Sequence, residues 1–438
     1  MPELIRQENW SGGANNKADK AKLPATEAGR TIREGVNVDI MPGGSFRSRI
    51  GFEQYLAGSS VRSLVAGHGE LFFLDGTNIK RFVIADGGID TIGSVGSSSV
   101  TMAGDLHNNE AMLLTSDGTA LRCRNRVARK WGVPTMPAQP IATLRTVGSM
   151  MLGRYQYACT LVNEYGEEGG TVTAGVVELT AGYGSFTLSG FQPIPSGYSM
   201  RVYISPCNGS TLYLQAERTV TSSIVVEDVF IDSMQLETMG MREPPASGHI
   251  VRSFHGTILI ADGAVLWLMQ PLRVHLLDRT SGFFQFPGNI TNVETVDTGV
   301  FITTASRTFF LSGVETSEPS MTTVYTDVGG FPHSGISTGK DQAAWMTERG
   351  QALGGRDGSV TLIHKDSYAP LLMPDSSSGI VRNDGAEILV TAPKPPTGTS
   401  SLKAASYFDA EVVTSSKTGP LDGSLSVTDN FDTEVVAP

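Results

Sequence analysis

The serine, histidine and cysteine residues of this sequence stand in patterns that do not predict catalysis. Residues 335–339, GISTG, match the Gly-x-Ser-x-Gly pattern of a nucleophile elbow, which requires an apolar strand before the serine and a helix after it. Here the flanking residues are GFPH and KDQAAWM, which fit neither requirement. The seven histidines form no His-Glu-x-x-His motif, and the three cysteines stand at no zinc-binding spacing. We therefore expect a protein that is not an enzyme and that holds no metal and no cofactor.

A cluster of positive charge is the most informative polar feature. Five cations lie within nine residues, at Arg122, Arg124, Arg126, Arg129 and Lys130. Arg122, Arg124 and Arg126 alternate, and alternate residues of a strand share one face, so we expect a cationic face there. We take the five cations as a candidate docking site for an acidic partner. Two alternatives stay open: a solvated strand edge whose charges prevent aggregation, and direct contact with DNA.

The elements that must position these residues are predicted to be short β-strands. Apolar residues recur with a period near two, in short runs bounded by Gly, Asp, Ser and Pro. Three hairpins resemble one another, since in each an apolar strand meets Asp-Gly and a second strand follows. The pairs are Asp75-Gly76, Asp117-Gly118 and Asp262-Gly263. Asp-Gly favours a type I′ turn, in which both central residues have positive φ.

The hairpins recur at a spacing of 42–45 residues, from Gly76 to Gly118 and again from Gly263 through Arg307 and Gly350 to Pro395. A unit of this length with about four strands has the size of a β-propeller blade. The sequence thus predicts an all-β protein built on a β-propeller of about six blades.

One interval breaks the spacing and predicts an inserted domain. Gly118 and Gly263 are 145 residues apart, which leaves 102 residues beyond one repeat of 43. Six or seven alternating strands in that interval predict a β-sandwich of the immunoglobulin or fibronectin type III kind. The predicted division is an N-terminal arm and closing strand (1–50), the first part of the propeller (51–139), the sandwich (140–245), the second part of the propeller (246–395) and a C-terminal segment (396–438) that can complete the last blade.

Charge and hydropathy limit the partners and the compartment. The 33 Lys and Arg against 44 Asp and Glu give a net charge of −11, which argues against a protein that coats nucleic acid by neutralising phosphates. No apolar run has the length of a membrane helix, and the first 20 residues lack the apolar region of a signal peptide. We expect a chain made in the cytoplasm and not inserted in a membrane. The polar arm, residues 1–30, is expected to clasp a neighbouring subunit, because it is too polar to fold alone.

The opening of the chain resembles a known family. After a Gly/Asn-rich arm come Leu23-Pro24, then GVNVD at 35–39, PGG at 42–44 and FRSRIGF at 46–52. This order resembles the start of the tail hub, or tail nozzle, proteins of short-tailed (podovirus-type) phages. The resemblance implies a β-propeller with an inserted β-domain, located in the virion tail as a homo-hexameric ring below the portal and adaptor. Such a ring carries the DNA channel, lets duplex DNA pass without specific binding, and docks tail fibres or a tail spike. The family carries no catalytic residues.

Two other functions are compatible with a propeller. A receptor- or carbohydrate-binding propeller of the virion predicts exposed aromatic side chains at the blade tips. Of the four tryptophans, Trp267 and Trp345 lie inside apolar strand patterns and are predicted to be core residues. A glycosidase on a propeller predicts acids and arginines gathered around the axis.

Overall fold

The structure is a computed structural model. It describes residues 60–393 apart from 68, 315, 317–318, 340, 364, 371–372 and 384–385. Nearer the N-terminus it describes residues 9, 11–12, 14–18, 25–26, 29–33, 38–40 and 44–48. The side chains at 25–26, 38–39, 47, 381–388 and 393 lie outside the description. The predicted C-terminal segment 396–438 and Trp10 also lie outside the described residues.

All the regular structure in the described residues is β-strand, which confirms the all-β prediction. These residues therefore contain no helix long and apolar enough to cross a membrane. The strands up to residue 130 are β1 (Ala25–Thr26), β2 (Gly29–Arg30), β3 (Val38–Ile40), β4 (Phe46–Ser48), β5 (Val61–Gly67), β6 (Glu70–Asp75), β7 (Asn78–Val83), β8 (Ile89–Ser94), β9 (Met102–His107), β10 (Glu110–Thr115), β11 (Ala120–Arg124) and β12 (Val127–Lys130). The next are β13 (Ile141–Arg145), β14 (Gly153–Asn163), β15 (Gly175–Leu179), β16 (Ser185–Ser189), β17 (Tyr198–Ile204), β18 (Tyr213–Arg218), β19 (Ile224–Val226) and β20 (Met241–Arg242). The last are β21 (Ile250–Phe254), β22 (Thr257–Asp262), β23 (Val265–Gln270), β24 (Arg273–Asp278), β25 (Phe283–Gln285), β26 (Ile290–Val296), β27 (Gly299–Thr304), β28 (Thr308–Ser312), β29 (Ser320–Tyr325), β30 (Ile336–Ser337), β31 (Gln342–Thr347), β32 (Gly350–Gly355), β33 (Val360–Ile363), β34 (Ser376–Asn383) and β35 (Ala386–Pro393).

Antiparallel sheets of consecutive strands make up most of the molecule. Four of them have four strands each, in the orders β5-β6-β7-β8, β9-β10-β11-β12, β26-β27-β28-β29 and β30-β31-β32-β33. The sheet between the second and the third of these runs β21-β22-β23-β24-β20, with β25 also paired to β23. We number these five sheets one to five in chain order. The hairpin β34-β35 follows, and the first strands of sheets one to four lie side by side.

The middle strands of these sheets are apolar on both faces because each face packs against a different neighbour. On β10, Ala111 and Leu113 enter the core shared with sheet one, whereas Met112 and Leu114 enter the core shared with sheet three. All six residues of β10 are consequently buried. Strands buried on both faces appear in sequence as unbroken apolar runs, which is why the segment EAMLLT does not alternate.

The Asp-Gly pairs do not form the type I′ turns that the sequence predicted. Asp75 and Asp262 are the last paired residues of their strands, opposite Asn78 and Val265, and only the following glycine has positive φ. The pairs with two positive φ values are Asn108-Asn109, Asn125-Arg126 and His255-Gly256. The type I′ turns therefore occur elsewhere in the same sheets, where Asn or His tolerates the left-handed conformation.

The three aspartates instead anchor the chain segment that leads into each sheet. Their carboxylates accept hydrogen bonds from the segment that leads into the same sheet: Asp75 from Ser60 N (3.1 Å), Asp117 from Gly96 N (2.7 Å) and Asp262 from Ser247 Oγ (3.0 Å). Each hairpin thus fixes the start of its own sheet.

Between β12 and β20 the chain forms a separate pair of sheets, β13-β16-β19 and β15-β14-β17-β18. The two sheets bury one shared core, in which Tyr155 and Leu161 of β14 face Phe186 and Leu188 of β16. The segment 227–236 runs back along β18, since Leu214 N donates to Met234 O. We call residues 141–236 the insert.

The described part of the N-terminal arm lies against its own chain. Asn16 exchanges two side-chain hydrogen bonds with the backbone of Ala369, at 2.8 and 2.9 Å, and Ala14 packs with Phe331 and Met346. For residues 14–18 this differs from the expected clasp on a neighbouring subunit. The strands β3 and β4, expected to close a blade, pair with each other, and no described pairing joins them to another sheet.

Candidate functional site

A network of two arginines and two glutamates joins sheet two to the insert. Arg122 donates from Nε to Glu110 Oε2 (2.7 Å) and from Nη1 to Glu167 Oε1 (2.6 Å). Arg129 donates from Nη2 to Glu110 Oε1 (2.9 Å), and its Nη1 lies 3.6 Å from a Glu167 oxygen. Arg122 and Arg129 occupy directly opposite positions on β11 and β12, so both guanidinium groups face the same two carboxylates. Two positive and two negative charges therefore balance at this junction.

The network is largely shielded from water. The side chains of Glu110 and Arg122 are only 9% and 11% exposed. Burial alone would raise the pKa of Glu110, but the hydrogen bonds and charges of Arg122 and Arg129 outweigh it and hold that pKa below its usual value. Glu110 is thus a carboxylate whose ionised form the fold stabilises.

Two further contacts hold the loop between β14 and β15, which contains Glu167. The Arg129 guanidinium lies 4.4 Å from the centre of the Tyr165 ring, a cation–π distance. His275 of β24 forms a hydrogen bond through Nε2 with the Glu168 carbonyl oxygen, at 3.2 Å. Burial lowers the pKa of His275, and Arg122 and Arg273 lower it further against the opposing charge of Glu167. The loop between β14 and β15 is consequently held by both sheet two and sheet three.

The predicted docking cluster is therefore divided, which corrects the expectation of one cationic face. Arg122 and Arg124 do share a face of β11, but Arg126 belongs to the Asn125-Arg126 turn, with φ of 66°, and its guanidinium pairs with Asp86 of sheet one. Lys130 is directly opposite Leu121 and so lies on the other face. β11 ends at Arg124, so Arg126 lies in the turn instead of on the strand. Its guanidinium is therefore directed toward Asp86 and not along the face that Arg122 and Arg124 share.

Only part of the cluster remains open to a partner. Arg122 and Arg129 are occupied by carboxylates of the same chain, whereas Arg124 and Lys130 are exposed and make no ion pair with any described residue. Val127, directly opposite Arg124, is 57% exposed. Arg124 and Val127 therefore lie together beside the β11–β12 turn, whereas Lys130 lies at the opposite end of the hairpin and on its other face.

Sequence reasoning missed Glu110, Tyr165 and Glu167 as the partners of the arginines. A signal was present, because the segment EYGEE at 164–168 is the most acidic turn of the insert. Its complement, the arginine cluster, lies more than 30 residues earlier, and no local pattern joins two segments at that separation. Only the pairing of the sheets brings them together.

The far end of the insert is apolar and exposed. β14 begins there and ends at the loop that contacts sheet two, so the two ends of the insert are opposite ends of the same strand. Tyr155 Oη donates to Met151 O (2.9 Å), Met150 N donates to Gly184 O (2.9 Å), and burial together with nearby Cys207 and Asp228 raises the pKa of Tyr155 to about 12. These contacts bring the loop before β14 and the loop before β16 together and place Asp228 near Tyr155, and we call this end of the insert, with the adjoining segment 228–231, the insert tip. Its exposed side chains are Val147, Met151, Leu152, Tyr183, Phe230 and Ile231.

A cavity of about 490 Å³ lies where the first strands of the sheets meet. Its polar lining includes Arg62, His249, Arg252, Glu294, His333 and Asp375. Arg252 donates to Glu294 at 2.8 Å, and His333 lies 2.7 Å from Asp375. Burial raises the pKa of Glu294, and the guanidinium of Arg252 opposes that rise. The cavity thus holds paired charges of both signs.

The residues first considered for chemistry lie in structural positions. Ser337 of the GISTG motif donates to Thr295 O (2.9 Å) and accepts from Thr295 N (3.0 Å), which fastens β30 to β26. Cys123 and Cys159 are buried, and burial raises the pKa of each thiol to about 12. Within the described ranges, no group of three His, Cys, Asp or Glu side chains could hold a metal ion.

Comparison with known proteins gives only distant likenesses. No protein-family model and no curated protein matches the chain in sequence. The N-terminal domain of Nup159 is 10% identical, with a TM-score of 0.30, over 79% of this chain and 76% of that one. The BBS1N chain of a complex with ARL6DN is 11% identical, with a TM-score of 0.30, over 78% and 93%. The extracellular domain of BT4673 from B. thetaiotaomicron is 8% identical, with a TM-score of 0.22, and the match spans 81% of this chain and 61% of that one. Likenesses at these TM-scores carry no conclusion about this chain.

Proposed function

We propose that sheets one to five and the β34-β35 hairpin are blades of a β-propeller, and that the insert is an immunoglobulin- or fibronectin-like sandwich carried between its second and third blades. Three observations support this: the repeated four-stranded meander, the adjacent first strands, and the cavity at their meeting point. The predicted bounds 140–245 include β20, which pairs in sheet three, so the deletion is confined to the insert itself. Removal of residues 141–236 with a short linker should then leave a folded propeller, as measured by circular dichroism. Loss of all β signal would contradict this division.

We propose further that the chain is a structural component of a phage tail. In this proposal it forms a homo-hexameric ring, the hub or nozzle, that continues the DNA channel below the portal and adaptor and docks fibres or other tail proteins. The opening motif, residues 10–52, supports the family. The structural observation that carries the proposal is the distribution of exposed apolar surface, most of which lies on the insert. Scattered exposed hydrophobic residues are ordinary, but a gathered set marks an interaction site.

The charge distribution fits a conduit that lets DNA slide. A net charge of −11 on each subunit gives a ring a repulsive field toward phosphates. Two arginines of the cationic cluster, Arg122 and Arg129, are already held by carboxylates of the same chain. We expect the purified protein to bind duplex DNA no more tightly than about 0.1 mM at physiological salt, the weak end of non-specific binding. Micromolar, salt-sensitive binding in a fluorescence titration would contradict the conduit.

The decisive experiment is imaging and mass analysis of purified phage particles. We expect a ring with six-fold symmetry and a stoichiometry of about six copies for each tail. Particles that contain one or two copies would contradict the ring.

One observation favours a second function, a receptor- or carbohydrate-binding propeller of the virion. The cavity, about 490 Å³, has the volume of a small-ligand site, and its lining combines apolar side chains with several polar ones. Against sugar binding, none of the described residues that line it is Phe, Tyr or Trp, and Trp131 and Trp345 are fully buried in cores. A thermal-shift screen against mono- and oligosaccharides distinguishes the two functions, since the structural role predicts no stabilisation.

A further inference from the structure

Two histidines lie together at the cavity where the first strands of the sheets meet. His249 precedes β21 of sheet three, His333 precedes β30 of sheet five, and β26 of sheet four contacts both strands. Both side chains line the cavity of about 490 Å³, and the centres of their rings are 5.9 Å apart. Both residues are also fixed to the start of β26, because His249 Nε2 bonds to Ile290 O at 2.8 Å and His333 N donates to Thr291 O at 3.0 Å. The two rings therefore have defined positions beside each other.

The neighbours of each ring decide which of its nitrogens carries the proton. A carbonyl oxygen can only accept, so neutral His249 carries its hydrogen on Nε2 and its lone pair on Nδ1. His333 Nδ1 lies 2.7 Å from Oδ1 of Asp375, and a carboxylate likewise accepts, so the lone pair of neutral His333 is on Nε2. Burial, assisted by the charge of His333, lowers the pKa of His249 and so favours the neutral ring. Neither lone pair is used in a hydrogen bond with any described residue.

These hydrogen bonds are those of metal-binding histidines in proteins. A histidine ligand usually donates its other ring N–H to a carboxylate or a backbone carbonyl, which fixes the tautomer and orients the ring. His333 has the carboxylate, and His249 has the carbonyl. Two imidazoles on one tetrahedral ion, with metal–nitrogen bonds of about 2.1 Å, have ring centres roughly 5–6 Å apart, and the observed 5.9 Å falls in that range. The spacing and both hydrogen bonds thus match a pair of ligands.

The charges around the pair are compatible with a divalent cation. Asp375 places a carboxylate beside His333, and the guanidinium of Arg252 is already paired with Glu294. Arg62, the other arginine of the cavity lining, donates two hydrogen bonds to backbone carbonyl oxygens. The cavity therefore presents no excess of positive charge that would exclude a metal ion.

We propose that His249 Nδ1 and His333 Nε2 bind one divalent transition-metal ion of the kind that imidazole prefers, Zn²⁺, Ni²⁺ or Cu²⁺. No group of three such ligands exists among the described residues, so water completes the coordination and the site is open. The ion links sheet three to sheet five across sheet four. The sequence predicted no metal because the two histidines are 84 residues apart and belong to no local motif. The site is independent of the proposed ring, so either can fail without the other.

Calorimetric titration of the purified full chain with Zn²⁺, after treatment with a chelator, tests the site. Every protein carries Cys207→Ser, because Cys207 is the one cysteine that is not buried and its thiol would compete. We expect one site, and His249→Ala and His333→Ala should each weaken binding by at least about a hundredfold, since even an outer partner of a ligand contributes 10–100-fold.

The matched control is His255→Ala. His255 is 42% exposed and lies 3.8 Å from Asp297, so it too is a histidine beside a carboxylate, but it is not in the cavity lining. Its loss should leave Zn²⁺ binding unchanged. No binding by the parent protein, unchanged binding by the two cavity variants, or an equal loss in the control overturns the inference.

Electron paramagnetic resonance with Cu²⁺ gives a second readout that needs no change to the cavity. The first equivalent of Cu²⁺ added to the Cys207→Ser protein should show hyperfine splitting from two imidazole nitrogens, and the His255→Ala protein should give the same spectrum. A spectrum with oxygen ligands alone overturns the inference, as does one whose nitrogen splitting disappears in His255→Ala.

Discussion

The two ends of the insert have opposite surfaces. At the near end, Arg122, Arg129, Glu110 and Glu167 satisfy one another, and Tyr165 covers one of the guanidinium groups. At the tip, six large apolar side chains are exposed and two carboxylates are unpaired among the described residues. The polar groups of the near end therefore pair within the chain and hold the insert against the sheets, whereas the tip leaves apolar side chains in contact with solvent. In the proposed tail component, an insert fixed at one end would hold an apolar docking surface away from the sheets.

The largest expected effect on stability comes from removing the carboxylate of Glu110, which accepts hydrogen bonds from both Arg122 and Arg129. Glu110→Gln leaves two largely buried guanidinium groups with one carboxylate, and removal of one partner from a buried ionic network costs about 3 kcal/mol. We expect a loss of that size in the free energy of unfolding, measured by guanidinium denaturation. The control Glu227→Gln removes a carboxylate that is 59% exposed and should change stability by less than about 1 kcal/mol. Equal effects for the two variants would show that the network does not stabilise the protein.

A smaller effect is expected from the insert's own side of the junction. Glu167→Gln weakens the charged hydrogen bond to Arg122, which should cost about 1–2 kcal/mol and speed amide exchange in residues 164–170. Glu164→Gln is the matched control, since Glu164 lies in the same loop and is exposed. If both variants exchange at the same rate, the ion pair does not hold the loop.

Acid should loosen the near end before it affects the tip. The pKa of His275 is lowered from 6.5 by burial, so the unfolded chain binds a proton that the folded chain resists. The stability that neutral His275 contributes is therefore complete above pH 6.5 and is lost as the pH falls below it. Glu110 acts with the same sign at lower pH, because its folded pKa lies below 4.5. Unfolding free energies at about pH 7.5 and about pH 5.5 should differ more for the wild type than for His275→Gln. His107 and His249, whose pKa values burial also lowers, account for the slope that remains.

The smallest effect on stability is expected at the tip. Phe230→Ser should change the free energy of unfolding by less than about 0.5 kcal/mol, because the side chain is exposed. The adjacent Val229→Ser should cost about 1–2 kcal/mol, because Val229 packs on the core of the insert. Denaturation of the pair measures the contrast directly. A large loss for Phe230→Ser would mean that the tip belongs to the core.

The fold class could be predicted from the sequence because periodicity and turn residues are local. Runs such as ELFFLD and EAMLLT marked the middle strands, and the Asp-Gly pairs marked the hairpins, although Asp75 and Asp262 proved to be the last paired residues of their strands. The docking cluster was only partly predictable. The alternation of Arg122, Arg124 and Arg126 suggested one face, but a left-handed turn at Asn125-Arg126 depends on where β11 stops, and that is set by its pairing with β10. The insert tip gave almost no signal, because exposed apolar residues in loops look the same in sequence as buried ones.

The contact between Asn16 of the arm and Ala369 affects the order in which the chain folds. Asn16 and Ala369 are 353 residues apart, so one partner is synthesised long before the other exists. At ordinary rates of translation this interval is roughly 20–70 s, during which sheets one to four can fold while residues 14–18 wait. Residues 14–18 are thus made before the sheets form and dock after them. Residues 14–18 of a newly made chain therefore stay open to other molecules until residue 369 has left the ribosome and the fifth sheet has formed.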